Sequence, residues 1–200
     1  MQTSESFLES PQNTREEIMR ATFLALCEYG YADLTLQRIS DEFSKSKSLI
    51  YHHYDGKDEL LLDFLQFMVD RFEETVPFEE SAGADAHLRS VLDHVLATPL
   101  PEKRREFAKA MVELRAQAAH DDRYRTYFTQ TDRFFRNRIA SNIESGIEEG
   151  VFREVDPEHA AAFLVTVING SMTERVTSNQ DATEIVREQV EAYIASVLSD

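Results

Sequence analysis

Apolar residues recur along this 200-residue chain with a helical period, and the breaks in that recurrence fall on turn and cap residues. Residues 1–13 are polar. Thr14-Arg15-Glu16-Glu17 then fits a capping box, in which the Thr hydroxyl and the Glu three places on satisfy orphan N–H groups. Ile18, Ala21, Thr22, Ala25, Leu26 and Tyr29 follow at helical spacing, and Gly30 supplies a stop. Thr35 caps a second helix with Leu36, Ile39 and Phe43 inward. Ser46 caps a short third helix with Ile50 and Tyr54 inward, and Asp55-Gly56 marks the next turn. Lys57 opens a long helix carrying Leu60, Leu61, Phe64, Leu65, Met68 and Phe72 on its apolar side.

Pro77 and Ser81-Ala82-Gly83 interrupt the pattern. Further helices are expected over roughly 85–97, 102–120, 123–149, 157–177 and 182–198. Pro99, Pro101, His120-Asp121-Asp122, Gly150 and Asp156-Pro157 separate them, the last being a cap followed by Pro at the first helical position. No stretch alternates with the two-residue period of a strand. The fold class is therefore all-α: an N-terminal three-helix domain over 1–57 and a larger helical domain over 58–200.

Charge sharpens that division. The chain holds 37 acids against 21 bases, for a formal net charge of -16, and only five of the bases are lysines. Residues 1–57 carry six bases and nine acids, a net of -3, so -13 of the -16 falls in 58–200. An acidic, lysine-poor surface keeps a protein hydrated in molar salt, which makes a salt-accumulating, haloarchaeal-like host the expected source; an ordinary acidic protein is the alternative. No apolar run is long enough to span a bilayer and the first residues lack a signal-peptide pattern, so a cytoplasmic protein without membrane association is expected. The single cysteine, Cys27, excludes an internal disulfide and reads as a packed thiol.

Against this acidic background, the second of two short helices within residues 34–60 gathers Lys, Ser, Tyr and His over 46–54 without acids among them. Helix, tight turn, helix is the arrangement that places its second helix in the DNA major groove. On a helix begun at Ser46, residues Lys47, Ser48, Tyr51 and His52 share one outward face, while Ile50 and Tyr54 point inward. Each of the four can bond phosphate oxygens or base edges. His52-His53 with Asp55 is no metal site, because adjacent helical residues diverge by about 100°. His87, His94, His120 and His159 are scattered, and no nucleophile–base signature or phosphate-cradling glycine loop is present. Neither a cofactor, a metal nor an enzymatic activity is expected.

Residues 14–62 resemble the DNA-binding domain of TetR/AcrR-family transcriptional regulators. The resemblance rests on Tyr29-Gly30-Tyr31, on Leu34-Thr35-Leu36-Gln37-Arg38-Ile39, and above all on Ser46-Lys47-Ser48-Leu49-Ile50-Tyr51-His52-His53-Tyr54 followed by Lys57-Asp58-Glu59-Leu60-Leu61. Gly146 to Arg153 and Asp156-Pro157 through Ile168-Asn169-Gly170 are similar to the family's late helices. Ser44-Lys45 stands where the family has Gly and an apolar residue, and Leu49 where a small or hydroxylated one is common. The resemblance implies phosphate contacts from Thr35, Tyr51 and Lys57, and base or phosphate contacts from Arg38, Lys47, Ser48, Leu49 and His52. It implies a dimer through the last two helices, drawing on Ala161, Leu164, Val165, Ile168, Val186, Val190, Tyr193, Ile194 and Val197.

The aromatic and Met side chains Phe64, Phe67, Met68, Phe107, Met111, Leu114, Tyr127 and Phe128, with His94 as a polar anchor, are either plain core or the lining of a site for a small apolar or amphipathic effector. The expected function is a homodimeric, ligand-responsive repressor on a palindromic double-stranded DNA operator. Alternatives are an activator or ligand-independent regulator on the same fold, and a helical binding protein that no longer engages DNA.

Overall fold

Nine α-helices form among residues 10–75 and 83–198, which the computed structural model describes, and no strand forms there. They are α1 (Thr14–Asp33), α2 (Leu36–Glu42), α3 (Ser48–His53), α4 (Lys57–Thr75), α5 (Ala84–Val95), α6 (Glu102–Gln117), α7 (Asp122–Glu148), α8 (Pro157–Thr177) and α9 (Thr183–Tyr193), with a π-helical turn over Ile194–Leu198. Pro77, Ser81, Ala82 and the side chains of Phe72 and Val197 lie outside the described residues.

Caps set most of the boundaries. The side chain of Thr35 accepts from the Arg38 N–H and that of Asp156 from the His159 N–H, as their positions predict. Two caps differ from expectation. The first helix is capped by Asn13, whose side chain accepts from the Glu16 N–H, while Glu16 accepts from the Gln12 N–H. The reciprocal pair thus sits one residue earlier than Thr14 would place it. The third helix begins at Ser48, with Lys47 in the cap position and no side-chain bond to a helical N–H; the Ser46 hydroxyl pairs with Ser48 Oγ instead, at 2.7 Å.

Gly30 breaks α1 with φ 67°, a left-handed conformation that costs other residues energy. After α7 the chain turns back through Gly150, also at positive φ, and the N–H groups of Gly150 and Val151 bond the carbonyls of Ile147 and Gly146. That pairing is a Schellman closure.

The contacts divide the chain into two compact units, and the division is not sequential. One takes in Met1–Pro77 together with Glu102–Tyr127, so α6 and the start of α7 belong with the first four helices. Its core holds Met19, Leu26, Ile39, Ile50, Leu61, Phe64, Leu65 and Leu114. The other takes in Phe78–Pro101 and Phe128–Asp200, around Leu88, Leu92, Ile143, Phe152, Leu164, Ile194 and Leu198. No helix among the described residues is long and apolar enough to cross a membrane.

Candidate nucleic-acid interface

Helix α3 is only six residues long and has no side-chain cap, so tertiary anchors must hold it. Ile50 supplies one, fully buried beneath the helix. Tyr54, at the C-cap, supplies a second: its hydroxyl donates to Asp63 on α4 at 2.5 Å, and Arg15 on α1 donates to the same carboxylate at 2.7 Å. Burial and the Asp63 bond both push the Tyr54 hydroxyl pKa up. Burial alone would raise the Asp63 pKa, but the bonds from Arg15 and Tyr54 hold it below the usual carboxylate range.

With those anchors inward, Lys47, Ser48, Tyr51 and His52 are all exposed, and Tyr51 remains 49% accessible. Leu49 is half-buried beside them. Thr35 is exposed at the start of α2. Arg38 lies over the Tyr29 ring at 4.4 Å and donates to the Asp33 carbonyl. Lys57 lies over the Tyr31 ring at 4.3 Å and donates to the Tyr31 carbonyl at 3.0 Å, a partly buried position that leaves further N–H donors on its head group.

The segment is not free of acids in three dimensions. Lys47 Nζ pairs with Asp41 of α2, and Lys45 Nζ pairs with Glu17 of α1 at 3.0 Å. Asp41 also accepts from Gln37 Nε2 at 2.9 Å, and the Tyr51 hydroxyl reaches Gln37 Oε1 at 3.5 Å. Gln37 and Asp41 therefore belong to the exposed polar network of α3. Their i,i+4 spacing on the exposed side of α2 is the sequence signal for this pairing.

A second cluster joins the end of α1 to α6 and α7. Glu113 accepts from the Tyr31 N–H at 2.6 Å, just where Gly30 breaks α1. Asp58 accepts from the hydroxyls of Tyr31 and Tyr124, at 3.2 and 3.0 Å.

Of the residues considered for an effector, Phe64 and Leu114 are fully buried. Phe107 stacks on Phe23 at 5.0 Å and meets Phe64 edge-on at 6.3 Å. Tyr127 donates to the Leu65 carbonyl at 2.6 Å. Phe67 is buried, and Met68 and Met111 are half-buried. Phe128 is buried and His94 exposed in the other unit. Of the dimer candidates, Ala161, Leu164, Val190 and Ile194 are covered within their own chain, as is most of Val165. Ile168, Val186 and Tyr193 are half-buried, whereas Phe163 and Ile185 are 45% and 64% exposed. No group of three His, Cys, Asp or Glu side chains among the described residues could hold a metal ion.

Comparison with known proteins agrees with this geometry. Residues 18–64 match the model of bacterial regulatory proteins of the tetR family, and residues 84–199 match the C-terminal domain of BetI-type transcriptional repressors. The chain is 26% identical over 173 residues to the HTH-type transcriptional repressor AcnR of Corynebacterium efficiens, covering 84% of this chain and 85% of that protein. It is similar to the crystal structure of a TetR transcription regulator from Haloarcula marismortui, with 37% identity, a TM-score of 0.84, and coverage of 93% and 98%. A regulator from Saccharomonospora viridis crystallised with choline shares the fold at 21% identity and a TM-score of 0.79, over 93% and 97% of the two chains. These relatives are transcriptional regulators, not enzymes. The chain belongs to the TetR family of DNA-binding transcriptional regulators.

Proposed function

We propose that this regulator acts in the cytoplasm as a homodimeric repressor, presenting α3 of each copy to successive major grooves of a palindromic operator. The observation that carries the reading is the sidedness of α3: Ile50 is fully buried while Lys47, Ser48, Tyr51 and His52 face solvent. In this reading Arg38, Lys47, Ser48, Leu49 and His52 address base edges and phosphates, and Thr35, Tyr51 and Lys57 fix the register on the backbone. Two-fold symmetry then requires half-sites about one helical turn apart, ~34–36 Å.

The exposed faces of α8 and α9 support dimerisation, with Phe163 and Ile185 outward while Leu164 and Ile194 fill the chain's own core. A small apolar or amphipathic effector acts by binding one spacing of the two α3 helices better than another. The acidic body must take up cations to approach DNA, so affinity falls only gently with salt or even rises.

The test is a gel-shift titration on an operator selected from random duplexes. Lys47→Ala with Tyr51→Ala should weaken binding by roughly tenfold or more while light scattering still reports a dimer. Unchanged affinity would remove α3 from the interface. A reporter in a deletion strain decides the sign: expression should rise when the gene is lost, and a fall would make the protein an activator.

A further inference from the structure

Both lysines of the helix-turn-helix turn already have an anionic partner in the free protein. Lys47 Nζ is held by Asp41, whose pKa is lowered first by that bond and then by the bond from Gln37. Lys45 Nζ sits 3.0 Å from Glu17, with the Ser44 hydroxyl donating to the other oxygen of the same carboxylate at 3.3 Å and Lys45 donating to Thr14 at 3.2 Å. The two acids lie on different helices, Asp41 on α2 and Glu17 on α1. Lys47–Asp41 is exposed on both sides and Lys45–Glu17 on its lysine side, and pairs open to solvent are weak enough for DNA to displace.

We propose that Asp41 and Glu17 are built-in counter-ions of the recognition helix: they hold Lys47 and Lys45 until DNA phosphates replace them, and thereby flatten the salt dependence of DNA binding. The inference rests on the reading of α3 as the DNA-facing helix. Its ion balance is simple. When a lysine meets a phosphate, a cation condensed on the DNA is released. In the same step the abandoned carboxylate is left bare and gathers a cation. Release and uptake nearly cancel, so that lysine adds attraction without adding much to the salt slope.

Asp41 has a further consequence through Gln37. Because Asp41 holds the Gln37 amide, it also sets the Gln37 oxygen that the Tyr51 hydroxyl reaches. Asp41 is thus a positioning residue for two side chains of the reading face at once.

The experiment uses the full-length protein and a duplex of arbitrary sequence, for which the electrostatic part of binding dominates. Fluorescence anisotropy from about 50 to about 500 mM KCl should give a shallow slope for the wild type, a slope steeper by about 0.9 for Asp41→Asn, and one steeper by about twice that for Glu17→Gln with Asp41→Asn. At the lowest salt the double variant should bind more tightly than wild type. In a Lys47→Ala background, Asp41→Asn should no longer change the slope. Replacing Glu144 and Glu148, exposed carboxylates of the other compact unit, by Gln should change the slope far less than Asp41→Asn does.

Slopes that do not change in the Asp41 and Glu17 variants overturn the inference, as does an equal change from Glu144 and Glu148. Failure of the DNA-binding reading looks different: Lys47→Ala with Tyr51→Ala would then leave affinity untouched in every background. Circular dichroism of each variant keeps a folding defect from being read as a binding effect.

Discussion

Gly146 lies inside α7, yet a Cβ added there would come within 2.1 Å of the Phe152 ring. The closure through Gly150 folds the chain back so that this ring, 3% exposed, lies against the Gly146 Cα. Gly146→Ala should therefore displace Phe152 and cost about 1–3 kcal/mol, the usual range for overpacking a closed core. Gly150→Ala meets no neighbour within 4 Å and should cost only the left-handed backbone term, about 1–2 kcal/mol. A lower urea midpoint for Gly146→Ala, with near-native helicity and a loosened Phe152, is the expected result; equal stability to wild type would contradict the packing. At this scale the sequence was legible wherever a residue acts on its own backbone, as at Thr35, Asp156 and Gly30. It was misleading where two neighbours can serve one role, as with Asn13 and Thr14. Lys47–Asp41 and Tyr31–Asp58–Tyr124 depend on tertiary placement, which no local pattern encodes.

Among the elements, α3 is the least self-sufficient, and beside the apolar anchor Ile50 its polar attachment runs through one carboxylate shared by three helices. Asp63 binds Tyr54 at the end of α3 and Arg15 on α1. Its folded pKa is lowered, so the stability it contributes is complete above the unfolded carboxylate value of about 3.9 and disappears as pH falls through the folded value. Wild-type unfolding free energy should fall with acidification in that window more steeply than that of Asp63→Asn, which has already lost the pair. Parallel pH profiles for the two proteins would show that Asp63 does not bind α3 to the rest. Apolar periodicity located nearly every helix because amphipathic helices carry their own register. It could not reveal that α6 packs with α1, through Phe107 on Phe23 and Glu113 on Tyr31, since that pairing joins segments about eighty residues apart in the chain. The π-helical turn after α9 also left no sequence mark that we can identify.

For the whole molecule, a net charge of -16 is a standing repulsion that only dissolved cations relieve. Many of its bases are already committed to ion pairs, among them Arg15–Asp63, Arg89–Asp85 and Arg187–Asp93. Thermal unfolding in low and in molar KCl should therefore show a midpoint that climbs with salt, as screening removes the repulsion between unpaired carboxylates. A midpoint that stays level or drops would mean that the charge is a matter of composition alone. The same acidity makes the DNA-facing side of α3 the decisive surface, because little else on the chain favours a polyanion. The most direct measurement is selection of duplexes from a random pool at high KCl, run in parallel with wild type and with Lys47→Ala, Tyr51→Ala. Enrichment by the wild type alone of a palindrome with half-sites one helical turn apart is the predicted result. The same sequences enriched by both proteins, or none enriched by either, would contradict the assignment of α3 as the reading helix.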